Sequence, residues 1–527
     1  MSRSLPPTQV RELTLGRSEY ALLDVREEGA FSRKRLMLAS CLPLSHLELR
    51  ATRLVPRLTT PIVLVDDGEQ LAKEGWRRLT ELGYSNLFIM EGGIAAWEAQ
   101  GFPVYSGVNV LTKAFGEVVH ERCGTPDISA EELDGWVREG RNVVIVDARP
   151  FHEYVDHTIP GSISVPGAEL VARAAAVAPD PRTVVVVNCA GRTRSIIGCQ
   201  SLINSGITNK VYALRNGTMG WKLAGLQVER GASRRAGLPD ADVALDKARD
   251  LAERFGVRTI DRATLANLAA EGTRNVYLFD VRTPDAYARG HASGTRNAPG
   301  GQLVQAFDDY VGVRGAIIAL TDPLHVRAVM TASWLNQIGQ SETYLLSDPG
   351  PATETASATH ENLSPTALRL MSVSDLIEHL AASDPAILLD LSTSVEHRAE
   401  HIPGSYWTVR GRYRGLRDAA AVAGTIVVYG SDPALLRLAA PEIEEVIGRR
   451  VLVLEGGLAA WRDAGHPIER GIPRPLSDVD DVWYKPFELS DPEAERQAAL
   501  SYLDWEVELT RKVAQDTVRF DPMVVPR

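Results

Sequence analysis

The chain has 527 residues, enough for three or four domains of ordinary size, and its 44% apolar and 24% charged residues are a globular balance with too much apolar material for a disordered chain. Lys+Arg 57 against Asp+Glu 68 gives a formal charge of −11, which argues against a nucleic-acid or anionic-membrane partner while leaving room for a local basic pocket. No stretch approaches about 18 consecutive apolar residues, so no transmembrane helix is expected. The opening MSRSLPPTQVRELTLGRS has no apolar core of the signal-peptide kind, so a cytoplasmic location is expected. Four cysteines without a CxxC pair make neither a disulfide scaffold nor a zinc site, and any functional cysteine should be a reduced thiol.

In chain order, one block recurs four times. The first copy, in 1–107, has a strand ALLD ending at Asp24, a turn RLMLASCLPL (35–44), a second strand PIVLV, and a Gly-Gly-to-Trp turn MEGGIAAWEAQGFPV (90–104). The second, in 124–232, has VVIVD ending at Asp147, a His/Pro/Gly turn HTIPGSISVP (157–166), a strand TVVVVN, and a looser RNGTMGWKLAGLQV (215–228). The third, in 256–348, has VYLFD ending at Asp280, GHASGTRNAP (290–299) and AIIAL. It lacks the Gly–Trp turn and runs into SDPGPATETASATHENLSPT (347–366), which reads as a flexible linker. The fourth, in 368–472, has AILLD ending at Asp390, EHIPGSYW (400–407), TIVVY, and LEGGLAAWRDAGHPI (454–468). The residue 42 positions after each strand-ending Asp is Asp66, Cys189, Asp322 and Asp432 in turn, which fixes the register of the repeat. In the tail, 473–527, the periodic apolar positions of 494–513 predict a helix, with Ser490 as its N-cap and Pro492 in its first turn, docking onto the parent protein.

Short apolar strands alternating with helical stretches predict α/β units, each an open, mainly parallel sheet with helices on both faces. Ligands of such sheets sit outside the carboxyl ends of the strands. The junction after TVVVVN is such a place, and it reads Cys189-Ala190-Gly191-Arg192-Thr193-Arg194-Ser195. Small residues let the backbone curl so that successive N–H groups point inward, and the following helix adds its positive end. Such a nest attracts anions and favours a thiolate, and Arg192 and Arg194 add positive charge. The pattern describes a thiolate nucleophile in a cationic cradle. Cys199, about 15 Å further along a helix, is poorly placed to resolve a Cys189 disulfide and is expected in the core, as are Cys41 and Cys123.

The strand-Asp start with DARPFHEY (147–154), the HTIPGSISVP turn, the six-residue loop CAGRTR (189–194) and the Gly–Trp turn at Trp221 resemble the rhodanese family of sulfurtransferases. The resemblance covers all four units and implies four rhodanese-like domains, each a five-stranded parallel sheet, followed by a helical tail. It implies a thiosulfate sulfurtransferase of the EC 2.8.1.1 kind. Cys189 would attack the outer sulfur of thiosulfate or a persulfide donor, release sulfite from thiosulfate, and pass the sulfur to a thiol, of a small molecule or a protein, or to cyanide. Backbone N–H groups of Ala190 to Ser195 would stabilise the persulfide. Arg192 and Arg194 would hold the sulfonate. Ser195 either donates to the sulfur or caps the helix. Arg149, at a neighbouring strand end, is a further substrate-binding candidate, whereas Asp147, His157 and Trp221 are expected to be structural.

Asp66, Asp322 and Asp432 cannot carry sulfane sulfur as a thiolate does. A carboxylate at that position can instead occupy the anion site permanently, so these three units are expected to be silent and self-plugged. Two other classes compete with the sulfurtransferase reading. One is a Cdc25-like phosphatase or arsenate reductase, which needs Cys-x5-Arg, whereas here Arg194 falls at +5 and Ser195 at +6. The other is a multidomain scaffold or sulfur carrier of weak catalysis. No cofactor or metal is implied, since no His/Cys/Asp cluster has ligand spacing and no glycine-rich phosphate motif follows a strand.

Overall fold

The architecture follows from four pairs of apolar strands. In each repeat the strand ending in Asp lies parallel to the strand that leads into the loop: Tyr20–Asp24 beside Ile62–Val65, Val143–Asp147 beside Val184–Asn188, Val276–Asp280 beside Ala316–Thr321, and Ile387–Asp390 beside Ile426–Tyr429. Runs of Val, Ile and Leu suit strands buried on both faces. The structure is a computed structural model and describes residues 3–16, 18–355, 368–381, 386–420, 425–489 and 491–524. Each repeat forms its own parallel sheet with helices on both faces, five-stranded in the second to fourth. The first sheet gains a sixth strand, because Val313–Arg314 of the third repeat adds antiparallel to Tyr20–Asp24. A two-residue strand is too short to leave a periodic signal in the sequence.

The register decides where the chemistry sits. Asp147 pairs with Asn188, so the two strands end level and Cys189 emerges at the carboxyl end of the second sheet's central strand. The helix Val110–Cys123 bridges the first two repeats and is buried along most of its length. Its Phe115 shares one core with Leu54 of the first repeat, Ile196 of the second, Trp334 of the third and Leu509 of the tail. The repeats are therefore packed into one another rather than strung out.

The tail helix is Pro492–Val513, capped not by Ser490 but by Asp491, whose side chain accepts a hydrogen bond from the Ala494 N–H at 3.0 Å. Ser490 lies outside the described residues, as do residues 356–366 of the expected linker. Part of the remainder is ordered: Ala352–Glu354 forms a strand antiparallel to His291–Ala292. Among the described residues no helix is long and apolar enough to cross a membrane.

Candidate active site around Cys189

The loop is shaped by its two flanks. Val184–Asn188 delivers Cys189 to the carboxyl end of the sheet, and the helix Thr193–Asn204 starts four residues later. The carbonyls of Cys189 and Ala190 are drawn away by the N–H groups of Thr218 and Met219, at 2.8 and 2.9 Å. This close approach needs Gly217, at φ +52°, because a Cβ there would lie 2.3 Å from the Cys189 carbonyl oxygen. The Gly of the recurring Gly–Trp turn is thus a packing requirement of the loop itself.

With those carbonyls engaged, none of the N–H groups of residues 190–195 donates to a backbone carbonyl among the described residues. The first repeat shows where such groups point. There the Asp66 carboxylate accepts from the N–H groups of Gly68, Glu69, Leu71 and Ala72 at 2.5–3.1 Å. The corresponding positions in the second repeat are Gly191, Arg192, Arg194 and Ser195. The Ser195 hydroxyl donates to the Arg192 carbonyl at 2.7 Å and accepts from the Cys189 thiol at 3.6 Å. The Ser195 side chain therefore both meets the sulfur and ties the first helical turn.

Three expected substrate ligands are engaged elsewhere. Arg192 makes a two-pronged ion pair with Glu117, at 2.7 Å to each oxygen, and a bond to Asn216. Arg194 pairs with Glu153, at 2.9 Å to each oxygen, and reaches Gln302 of the third repeat. Neither side chain is held free for a sulfonate. Arg149 is only 1% exposed and clamps Asp147, its own strand end, at 2.7 Å. Arg26 with Asp24 and Arg282 with Asp280 make the same clamp in two repeats whose loop position is an aspartate, so the clamp is a feature of the repeat rather than of the Cys189 loop alone. In the fourth repeat Ser392 takes the Arg position, and His397 bonds Asp390 instead, at 2.7 Å.

What covers the loop comes from outside the repeat. Tyr502, Leu503 and Glu506 of the tail helix lie over Gly191: a Cβ at Gly191 would sit 3.1 Å from Glu506 Oε2 and 3.2 Å from Tyr502. Cys189 is consequently only 2% exposed. Thr193 Oγ1 and the Tyr502 hydroxyl donate to Glu506 Oε1, at 3.4 and 2.9 Å. Lys113 of the bridging helix stands beside Glu506, its Nζ 4.8–5.2 Å from the rings of Trp483, Tyr502 and Trp505. Gly116, one turn on, lets that helix meet Thr193. None of these residues lies in a motif of the second repeat, and only the amphipathic tail pattern hinted that something docks there.

Enclosure works against the nest. Burial pushes the Cys189 thiol above its ordinary value, against the charge of Arg194 and the hydrogen bonds of Ser195, and the Glu506 charge adds to the rise. Burial likewise raises the Glu506 carboxyl, against the opposing charge of Lys113.

The silent loops are plugged to different degrees. Asp66 takes four N–H groups. Asp322 takes those of Leu324 and Ala328 and the Arg327 guanidinium. Asp432 takes only the Ala434 N–H, as the N-cap of its helix, and borders a cavity of about 430 Å³ between the first, third and fourth repeats.

The rhodanese-like domain family matches residues 7–100, 129–224 and 372–464, more than half of the chain. Over 99% of its length and all of the other's, the chain is similar in structure to a thiosulfate sulfurtransferase of Pseudomonas aeruginosa, with 41% sequence identity and a TM-score of 0.92. A stretch of 95 residues is 37% identical to part of an HTH-type transcriptional regulator of Mycobacterium tuberculosis, spanning 18% of this chain and 41% of the regulator. The family matches fall on the first, second and fourth repeats and take in the Cys189 loop, and the chain belongs to the rhodanese family.

Proposed function

We propose that the protein moves sulfane sulfur from thiosulfate to a thiol through a persulfide on Cys189. In the first half-reaction the Cys189 thiolate attacks the outer sulfur of thiosulfate. The Cys189 S–S bond forms, the bond to the sulfonyl sulfur breaks, and sulfite departs with that electron pair. In the second, a thiolate attacks the outer persulfide sulfur, forms a new persulfide, and returns Cys189 as thiolate. The anionic outer sulfur sits where N–H groups converge, and these preformed dipoles stabilise it without reorganising. A single atom at the centre suits a six-residue loop better than a phosphate tetrahedron does, which disfavours phosphatase or arsenate reductase chemistry.

The observation that carries this reading is the equivalence of Cys189 to Asp66. The silent repeat fills its ring of four amides with a carboxylate, and the second repeat places a sulfur there. The 41% identical relative named as a thiosulfate sulfurtransferase supports thiosulfate as the donor. The test is the intact mass after incubation with thiosulfate, followed by peptide mapping. One added sulfur on the Cys189 peptide, discharged by a thiol, is expected. No added sulfur would refute the reading in favour of a scaffold, the alternative that the 2% exposure of Cys189 favours.

A further inference from the structure

The one carboxyl group lying directly over the Cys189 loop belongs to neither the loop nor its repeat. Glu506 arrives from the tail helix some 300 residues downstream. It is 1% exposed. Its Oε1 is satisfied by Tyr502 and Thr193, but its Oε2 has no hydrogen-bond partner among the described residues. That oxygen is the atom nearest to where a Cβ on Gly191 would lie, at 3.1 Å, and the Glu506 charge is felt by Cys189. The groups facing it are Lys113 and Glu117 from the bridging helix, Cys189 and Arg192 from the loop, and Tyr502 from its own helix. Arg192 is already neutralised by Glu117. A carboxylate at this place repels a dianion entering the loop and repels a monoanion less.

We propose that Glu506 is the specificity-determining residue of the Cys189 site, admitting doubly charged sulfur donors only when its carboxyl is protonated and otherwise favouring donors of lower charge. This rests on the sulfurtransferase reading above. No covalent step is added. A proton is taken up by Glu506 when the dianion binds, and it is released when sulfite leaves and the carboxylate re-forms. Burial raises the Glu506 pKa and Lys113 lowers it, so the group has both a reason to take up a proton and a neighbour that sets where it does so.

Two donors with the same transferable sulfur separate this effect from the ionisation of Cys189: thiosulfate, a dianion, and methanethiosulfonate, a monoanion. The ratio of their kcat/KM values in one protein cancels the thiolate fraction, which both reactions share. In the wild-type chain the ratio of thiosulfate to methanethiosulfonate is expected to rise by about tenfold or more as pH falls through the Glu506 titration, the scale of one like charge a few ångströms away at an effective dielectric constant near 20. In Glu506→Gln the ratio is flat with pH and stays at the wild-type low-pH value. In Lys113→Met, which keeps Glu506 but removes the charge that lowers its pKa, the inflection moves to higher pH. A purely structural role of Glu506 would change both donors alike and leave the ratio untouched. The same pH-dependent ratio in wild-type and Glu506→Gln, with the persulfide forming on Cys189 in both, would overturn the inference alone. Absence of the persulfide from the wild-type chain would overturn the sulfurtransferase reading and this inference with it.

Discussion

Asp66→Asn tests whether a silent loop is held by its own carboxylate. The substitution keeps the shape, but it turns one oxygen into an NH2 group facing two N–H donors, either Gly68 and Glu69 or Leu71 and Ala72. A hydrogen bond to a charged acceptor contributes about 1.5–3 kcal/mol, so losing two sets a ceiling of about 3–6 kcal/mol. Local relaxation and entry of water reduce this to about 3 kcal/mol. A four-repeat chain need not unfold in two states, so the readout should be local. Amide hydrogen exchange of residues 66–72, followed by mass spectrometry, reports opening of this loop directly. At about 1.4 kcal/mol per factor of ten, exchange should quicken roughly a hundredfold. Asp432→Asn is the internal control. Only the Ala434 N–H depends on that carboxylate, and the remaining amide oxygen can serve it, so exchange there should change less than about tenfold. Equal effects at the two sites, or no effect at Asp66, would refute the plug.

Cys189→Ser should abolish the added sulfur in intact mass while leaving the melting temperature close to wild type, because Ser can still face the ring of amides. Arg149→Met should destabilise by about 3–5 kcal/mol, the usual cost of leaving one partner of a buried ion pair alone, and Arg26→Met should cost a similar amount in the repeat whose loop position is Asp66. An Arg149→Met protein of normal stability but lost activity would restore Arg149 to the substrate site. Burial pushes Glu153 up, but the charge and hydrogen bonds of Arg194 override it and bring it down to about 2. A carboxyl lowered on folding stabilises above its unfolded value of about 4.3 and loses that contribution as pH falls towards 2. Acid unfolding followed by near-ultraviolet circular dichroism should show Glu153→Gln losing this part of the dependence below about pH 4.3, and an unchanged acid limb would remove the pair from the account.

Much of the fold was legible because a four-fold repeat averages out local ambiguity. The strand-ending Asp, spaced identically from the loop position each time, placed Cys189 beyond the carboxyl end of a strand before any coordinates. The candidate nucleophile stood out for the same reason, as one cysteine against three aspartates in register. What surrounds it was not. Lys113 lies between two repeat boundaries, on a helix whose apolar residues run nearly all round, so no stripe pointed to the site. Glu506 sits some 300 residues away from Cys189, on a tail whose amphipathic pattern predicts docking but not where. A strand-end Arg such as Arg149 looks the same in sequence whether it faces a substrate or clamps the Asp two residues before it. Its counterparts Arg26 and Arg282, in repeats with an aspartate at the loop position, make the same clamp.

The roles given to Arg192 and Arg194 fail for a more general reason, which changes the electrostatic account of the site. Each cation near the loop has a carboxylate beside it: Arg192 has Glu117, Arg194 has Glu153, Arg149 has Asp147, and Lys113 has Glu506. Counted over these pairs, the positive field suggested by the sequence cancels. What remains uncompensated is the backbone: the amides of Gly191, Arg192, Arg194 and Ser195, at the positions whose counterparts in the first repeat hold the Asp66 carboxylate. Fixed dipoles of this kind act over a short range and favour a single negative atom at their focus over a diffuse dianion. In the proposed reaction this arrangement would favour the anionic persulfide over thiosulfate, the direction in which differential binding must run if it is to lower a barrier. The paired arginines then hold the loop's shape, with Glu153 anchoring one side, Glu117 the other, and Gln302 joining the third repeat to the frame.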